Sequence, residues 1–115
     1  SITTHVPSGC SNATRGVCNL RPSTAPYYSN IVEFVTIATL GNSLDFGDST
    51  NNAGGTGPMS SSTRALFAGG YGSGDGFQAE IASFEIATTG NALDFGDMTY
   101  NADNICGLSN GHGGL

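Results

Sequence analysis

The chain has 115 residues, of which 18 are glycine and only 10% are charged. This composition is typical of short strands joined by tight turns, because glycine supplies the backbone angles that turns need, and it disfavours a helical bundle. The net charge is −6, with only three basic residues, so the basic stripe of a nucleic-acid-binding protein is missing. No apolar run approaches the length of a membrane span. We therefore expect one all-β domain that neither binds nucleic acid nor spans a membrane.

The chain contains an internal duplication with a period of 49 residues. The sequence DFGD at residues 45–48 recurs at residues 94–97. Without any gap, residues 37–53 and 86–102 are identical at 13 of 17 positions, far more than biased composition would give. Such self-similarity is the signature of a repeat architecture, in which one supersecondary unit is copied along the chain.

The same phase continues more weakly outside this block, where Cys10, Met59 and Leu108 share one repeat position. It predicts that residues 1–10 are the tail of an incomplete repeat, and that residues 11–59 and 60–108 are two whole repeats. Residues 109–115 would then begin a third repeat, with everything in one structural domain. Ragged ends of this kind leave strand edges unpaired, which invites a neighbouring chain to complete them.

Each repeat is predicted to hold about four short strands. Residues 31–39 and 80–88 are rich in β-branched and aromatic side chains, and a Gly-Asn pair follows each of them as a tight hairpin turn. Shorter strands are expected at residues 44–46, 93–95, 65–68, 56–59 and 105–108. The glycine-rich residues 72–76 are expected to form a hairpin loop rather than a phosphate-binding loop, because the lysine of such a loop is missing.

The order of a strand, a Gly-Gly-Tyr-Gly sequence at residues 69–72, an apolar strand and a Gly-Asn hairpin resembles the kelch motif of β-propellers. The wording SSSTRALFAGGYG at residues 60–72, and the repeated IAT-x-GN-x-LDFGD, are similar to repeats in tail-associated and other virion proteins of marine bacteriophages, notably cyanophages. The resemblance implies an exterior, non-enzymatic protein made of two kelch-like four-stranded antiparallel repeats, as propeller blades or stacked sheets. Because a propeller needs about four or more blades, neighbouring chains are expected to complete the fold.

The repeated aspartates Asp45, Asp48, Asp94 and Asp97 are expected to shape turns. They carry the oxygen ligands that calcium prefers, but the ligand series of a calcium loop is absent, so we expect no metal site and no cofactor. Arg15 and Arg64 occupy the same repeat position, and we expect each to form an ion pair with a DFGD aspartate.

Three further positions are candidates for covalent chemistry. Cys10 and Cys106 fall in end strands, so a disulfide joining the termini within or between chains is one interpretation, and buried free thiols are the other. Asn12 lies in an Asn-Ala-Thr sequon, which makes it a glycosylation candidate in a glycosylating secretory system.

Three functions fit these observations. The first is a non-enzymatic structural protein of a phage virion, in a tail, fibre or capsid decoration, that self-assembles through its β-repeats and contacts other virion proteins. The second is a secreted subunit of an extracellular filament, which the incomplete end repeats and the start without Met favour. The third is a lectin that binds surface glycans through loop aromatics such as Tyr27, Tyr28, Tyr71 and Phe77. In all three the protein is extracellular.

Overall fold

The structure, a computed structural model, describes residues 7–72 and 76–109. The repeat tail expected at residues 1–10, the repeat start expected at residues 109–115 and the loop expected at residues 72–76 lie partly outside these residues. Among the described residues, nine strands form an antiparallel sheet that does not close on itself. They are β1 Ser8–Ser11, β2 Arg15–Asn19, β3 Ser29–Thr36, β4 Leu44–Gly54, β5 Gly57–Ser60, β6 Arg64–Ala68, β7 Tyr71–Gly72, β8 Gly76–Glu85 and β9 Leu93–Ala102. The prediction of an all-β fold is confirmed.

The strands form two four-stranded antiparallel units. The first unit follows the chain as β1, β2, β3 and β4, each paired with the next. The second unit has the order β5, β6, β8, β9. Between them, the short strand β7 pairs with the end of β4 and the start of β8, which joins the two units into one sheet. Each unit is therefore a simple meander, and β7 is the link.

The 49-residue period relates the two units strand by strand. β1 and β2 map onto β5 and β6 residue for residue, β4 and β9 start at equivalent residues, and β3 and β8 end at equivalent residues. Both units also have the same register irregularities, at equivalent positions in the pairing of β3 with β4 and of β8 with β9. The strand pairing groups residues 8–54 and 57–102, so each structural unit starts three residues before the boundary expected from the sequence.

The two units pack face to face around one core. Because side chains alternate along a strand, each unit has two faces. We call the face of a unit that contacts the following unit its leading face, and the face that contacts the preceding unit its trailing face. The leading face of the first unit carries Val17, Val32, Phe34 and Phe46, and the trailing face of the second carries Ala65, Phe67, Ala82 and Phe84. These eight side chains and Ile86 form a single buried hydrophobic cluster. The leading face of one unit therefore covers the trailing face of the next.

Four phenylalanine rings cross this contact in edge-to-face pairs. Phe46 lies at the centre, with its ring centroid 5.7 Å from Phe34 in its own unit and 5.7 Å from Phe84 in the other. Phe84 in turn contacts Phe67 at 5.9 Å. Edge-to-face pairs of this kind contribute about 0.5–1.5 kcal/mol each beyond the burial of area.

Three expectations about strands are corrected. The strands predicted at residues 31–39 and 80–88 end at Thr36 and Glu85, and a turn begins at the next residue. Each Gly-Asn pair lies in a seven-residue connection rather than in a tight turn. Residues 105–108 are not a strand. They follow the flank of β5, where a Cβ on Gly107 would overlap the carbonyl of Pro58, and the described structure gives them no antiparallel partner.

The duplication supplies a matched pair of core substitutions. Phe46 is 2% exposed, whereas Phe95, at the same repeat position, is 52% exposed. We expect Phe46→Ala to lower the free energy of unfolding by about 3–5 kcal/mol, because it opens a cavity between the units. Phe95→Ala should cost less than about 1 kcal/mol. Urea denaturation of both variants checks this difference, and equal losses would contradict the face-to-face core.

Candidate interface between the repeat units

The DFGD sequence forms a β-bulge in each unit. Val32 pairs with Gly47 and Glu33 pairs with Asp45, so Phe46 is an extra residue without a partner in β3. Gly47 has φ 145°, a backbone angle that glycine tolerates far better than other residues. Asp94, Phe95 and Gly96, with φ 137° at Gly96, repeat this arrangement in β9. The bulge turns the Phe46 ring into the core.

The outer edge of this bulge binds the second unit through the backbone. Gly90 N donates to Phe46 O and Ala92 N donates to Asp48 O, both at 2.8 Å. Asp48 N donates to the side-chain Oδ1 of Asn91 at 3.0 Å. Residues 90–92 thus lie along an otherwise open strand edge and satisfy three of its backbone groups. The Gly-Asn pair of the second unit thus binds the DFGD bulge of the first unit.

Arg15 forms a second contact between the units. Its Nη1 donates to the carbonyl of Ile86 at 2.9 Å, and its guanidinium lies 4.7 Å from the ring centroid of Phe34. Ile86 is fully buried in the same cluster. A charged donor to a carbonyl is one of the stronger hydrogen bonds in a protein, about 1.5–3 kcal/mol. Arg15 therefore fixes the position at which the second unit's β8 to β9 connection enters the core.

A third contact follows the first strands of the units. Ser60 Oγ donates to the carbonyl of Ser11 at 3.0 Å and lies 3.0 Å from Ser109 Oγ. These three serines are spaced by 49 residues. Ser8 Oγ donates to the carbonyl of Thr56 at 2.7 Å in the same row of strands. Residues 106–109 consequently lie against β5 in the same way that β5 lies against β1. They occupy the position that the first strand of a third unit would have.

Among residues 7–72 and 76–109, the repeat interface is used once, and one half of it is left over in each unit. On the leading face of the second unit, a Cβ added to Gly96 would meet no described atom within 4 Å. At the other end, Ile37 is 56% exposed, although its repeat counterpart Ile86 is 0% exposed. The same residue types are thus buried at the internal contact and open to solvent at the two ends.

The structure corrects the expected ion pairs of the two arginines. Arg64 lies 3.6 Å from Glu85, on an exposed surface, rather than beside a DFGD aspartate. Arg15 binds a carbonyl instead of a carboxylate. Arg64 lies directly opposite Glu85 in the pairing of β6 with β8, and Arg15 lies beside the β8 to β9 connection, where the Ile86 carbonyl is within reach. An exposed pair such as Arg64 with Glu85 contributes about 1 kcal/mol at most.

The four aspartates have local structural roles where their contacts are described. Asp48 takes part through its backbone, and Asp94 Oδ1 accepts a hydrogen bond from Gly96 N at 2.9 Å inside the bulge. The structure brings Asp45 and Asp97 to the same bulges, in strands β4 and β9. Within residues 7–72 and 76–109, no group of three or more His, Cys, Asp or Glu side chains is placed to hold a metal ion.

Asn12 closes the turn between β1 and β2. Its Oδ1 accepts from the backbone N of Thr14 and of Arg15, both at 2.9 Å, and its Nδ2 donates to the carbonyl of Ser62 at 3.1 Å. At the equivalent turn of the second unit, Ser61 Oγ accepts from Arg64 N. The side chain thus has a turn-forming role, and a glycan on Nδ2 would compete with the bond to Ser62. Glycosylation stays a prediction.

The cysteines are free thiols, and the structure does not join Cys10 to Cys106. Cys10 packs against the core cluster, while Cys106 is exposed. Burial, and secondarily the neighbouring Cys18, raises the pKa of the Cys10 thiol to about 11. Burial also raises the pKa of Cys18, and Glu33 adds to that shift. Cys10 is therefore a poor nucleophile at neutral pH.

The aromatic side chains considered for sugar binding do not share one loop: Tyr71 lies in β7, Phe77 in β8, and Tyr27 and Tyr28 in the connection between β2 and β3. Tyr71 and Phe77 are half exposed and form an edge-to-face pair with centroids 5.9 Å apart. Tyr27 is exposed in the connection between β2 and β3. An edge-to-face pair offers no flat platform of two rings, and packing of one ring on the other accounts for its geometry.

Comparison with known proteins gives no family for this chain: no family model matches it, and no curated protein is significantly similar. No helix among the described residues is long and apolar enough to cross a membrane.

Sequence reasoning missed the main binding residues, Gly90, Asn91 and the backbone of Phe46. The signal was present, because residues 37–53 and 86–102 are far more alike than the strands beside them. Strand formation needs only an alternating pattern. The 13 identical positions fall in the two segments that meet at the internal contact, where residues 90–92 bind residues 46–48.

Two glycines test the backbone contact. Gly47→Ala and Gly96→Ala share the strain of a positive φ, but only at Gly47 would the new Cβ overlap the carbonyl of Gly90. We expect Gly47→Ala to be less stable than Gly96→Ala by about 2 kcal/mol, a typical cost of forcing extra atoms into a packed contact. Chemical denaturation measures both. If the two variants unfold at the same denaturant concentration, the contact between residues 47 and 90 does not stabilise the fold.

Thiol labelling tests the placement of the cysteines. At pH 8 we expect iodoacetamide to modify the exposed Cys106 at least tenfold faster than Cys10, whose accessible thiolate fraction is small. The Cys10 rate should rise about tenfold per pH unit toward pH 11, since its pKa is raised to about 11. Mass spectrometry of tryptic peptides separates the sites, with Cys106→Ser as the control. Equal rates at pH 8 would place Cys10 outside the core.

Proposed function

We propose that this protein is a non-enzymatic structural protein that assembles with copies of itself through its β-repeats. The observation that carries the proposal is that one interface is formed inside the chain, while the same two surfaces are present again, without a described partner unit, at the two ends. Gly90 and Asn91 bind the bulge at Phe46 within the chain, whereas the equivalent Gly41 and Asn42, and the backbone of the bulge at Phe95, have no described partner in another unit.

The arrangement of the two units supports assembly in a row. One unit follows the other by a displacement that puts the leading face of the first on the trailing face of the second. A contact of this kind is heterologous, since the two surfaces differ, and it generates a closed ring or an open filament according to the rotation between units. A repeat that cannot cover its own apolar faces gains by stacking.

We propose a phage virion as the setting, in a tail, fibre or capsid decoration on the particle exterior. The support is the wording of the repeats, above all IAT-x-GN-x-LDFGD, which is similar to repeats in virion proteins of marine bacteriophages. A secreted extracellular filament is the alternative, and it would use the same assembly contact. Proteomics of purified particles against particle-free culture supernatant separates the two, and recovery from the supernatant alone would contradict the virion setting.

Sedimentation velocity tests assembly itself. The monomer has a mass of 11.6 kDa, and we expect larger species to grow with protein concentration between about 1 µM and 1 mM. Negative-stain electron microscopy of the concentrated sample should reveal rings or fibres. A stable monomer across the whole concentration range would contradict the proposed function.

A further inference from the structure

We propose that the leading face of the second unit binds residues 37–43 of a second copy of this chain, in the geometry by which the first unit binds residues 86–92. The inference rests on the proposed function and specifies its two surfaces. The binding segment, residues 37–43, is called the donor connection. The receptor is the Phe95–Gly96–Asp97 bulge together with the groove beside it.

The backbone part of the contact is available at both ends. The donor connection contains Gly41 and Asn42, the residue types that occupy positions 90 and 91 at the internal contact. The receptor bulge contains Phe95, Gly96 and Asp97, the same types as at positions 46–48. Displacing the internal contact by 49 residues gives hydrogen bonds from Gly41 N to Phe95 O and from Asp97 N to Asn42 Oδ1. Each pair reproduces a bond that the chain already makes.

A groove of about 670 Å³ lies beside the receptor bulge. Its main lining side chains are Met59, Arg64, Leu66, Phe95 and Leu108. The counterparts of the first four, one repeat earlier, are Cys10, Arg15, Val17 and Phe46, which surround or bind the buried Ile86. The groove is therefore equivalent, one repeat later, to the site that holds Ile86 inside the chain. The side chain that fits it is Ile37 of the donor connection, which is the repeat counterpart of Ile86 and is exposed.

Arg64 can repeat the bond that Arg15 makes. Its guanidinium lies 5.9 Å from the ring centroid of Phe95, as Arg15 lies over Phe34, and its exposed pairing with Glu85 is weak. With a second copy in place, Arg64 would donate to the carbonyl of Ile37. This exchange adds a hydrogen bond from a charged donor at the rim of the groove.

Two segments would compete for the same position beside β5 when a second copy docks. Residues 106–109 lie beside β5, where Ser8–Ser11 of the docked copy belongs. Ser8–Ser11 is paired with its own β2 along four residues, whereas residues 105–108 belong to no strand and Ser109 forms a parallel bridge to Ser60. Both segments cannot lie beside β5 at once, so docking displaces residues 106–109, which are not part of a β-strand ladder.

The second copy should bind less tightly than the two units bind each other. Glu33 occupies the trailing-face position at which Ala82 is 3% exposed, and burying a carboxylate is costly even when, as here, it accepts a hydrogen bond from Ser43. Ser83 replaces Phe34 on the leading face. The interface is consequently a reversible one, and Glu33→Ala, which restores the residue type of position 82, should strengthen it at least tenfold.

Two blocking variants test the surfaces separately. Gly96→Ala blocks the receptor, because its Cβ meets open space in the monomer but would overlap the carbonyl of Gly41 in a docked copy. Ile37→Asp blocks the donor by placing a charge in the apolar groove. Each variant alone should stay monomeric in sedimentation velocity at concentrations where the original protein associates. Thermal unfolding must confirm that both are folded before they are compared.

Mixing the two variants is the decisive experiment. Gly96→Ala retains a donor connection and Ile37→Asp retains a receptor, so the mixture should form a one-to-one dimer and nothing larger. Mass photometry or native mass spectrometry measures this, with Glu33→Ala as the variant expected to gain affinity. If the original chain associates but the two variants associate equally well, or the mixture gives no dimer, the assigned surfaces are wrong while self-assembly stands. A monomeric original chain overturns both.

Discussion

The whole structure depends on one backbone irregularity, the β-bulge at residues 45–48. By adding Phe46 without a partner in β3, the bulge turns an aromatic ring into the core. It also leaves the outer edge of β4 free to bind residues 90–92. Core packing and contact between the units are thus set by the same four residues. Gly47 permits both, since its backbone angle is strained for a residue with a side chain.

Much of the fold follows from the sequence. The period of 49 residues, the all-β class and most strand positions could be predicted, because alternation and β-branched content report on local structure. The strand ends could not, since residues 37–39 are as β-prone as residues 31–36. At the equivalent residues 86–88 the strand gives way to a turn that places Ile86 in the core of the contact, and residues 37–39 form the same turn in the first unit. That placement of Ile86 depends on tertiary packing, which local propensity does not contain.

The site was harder to predict than the fold for a related reason. Charged residues at repeated positions suggested ion pairs, yet Arg15 binds a backbone carbonyl and Asp48 acts through its backbone. A contact made through backbone groups does not require particular side chains. Its only signs in the sequence are glycines, which allow close approach, and asparagines, whose side chains bind backbone groups. Gly-Asn was interpreted as a hairpin turn on this account, although Asn91 uses its side chain to bind a strand edge.

The internal contact and the end surfaces share the groups that set how one unit lies on another, but they differ in the apolar area that would make the contact strong. The bulge and the Gly-Asn pair, which fix how one unit lies on another, are retained at both ends of the chain. The side chains that supply burial are not, because Glu33 stands for Ala82, Ser83 for Phe34 and Val35 for Phe84. Backbone bonds at an open edge give direction at little net energy, whereas apolar area supplies most of the strength. A chain with intact backbone contacts and diluted apolar faces folds firmly as a pair of units. In the proposed assembly, such a chain would join further units in the same register only at high concentration or beside a favourable neighbour.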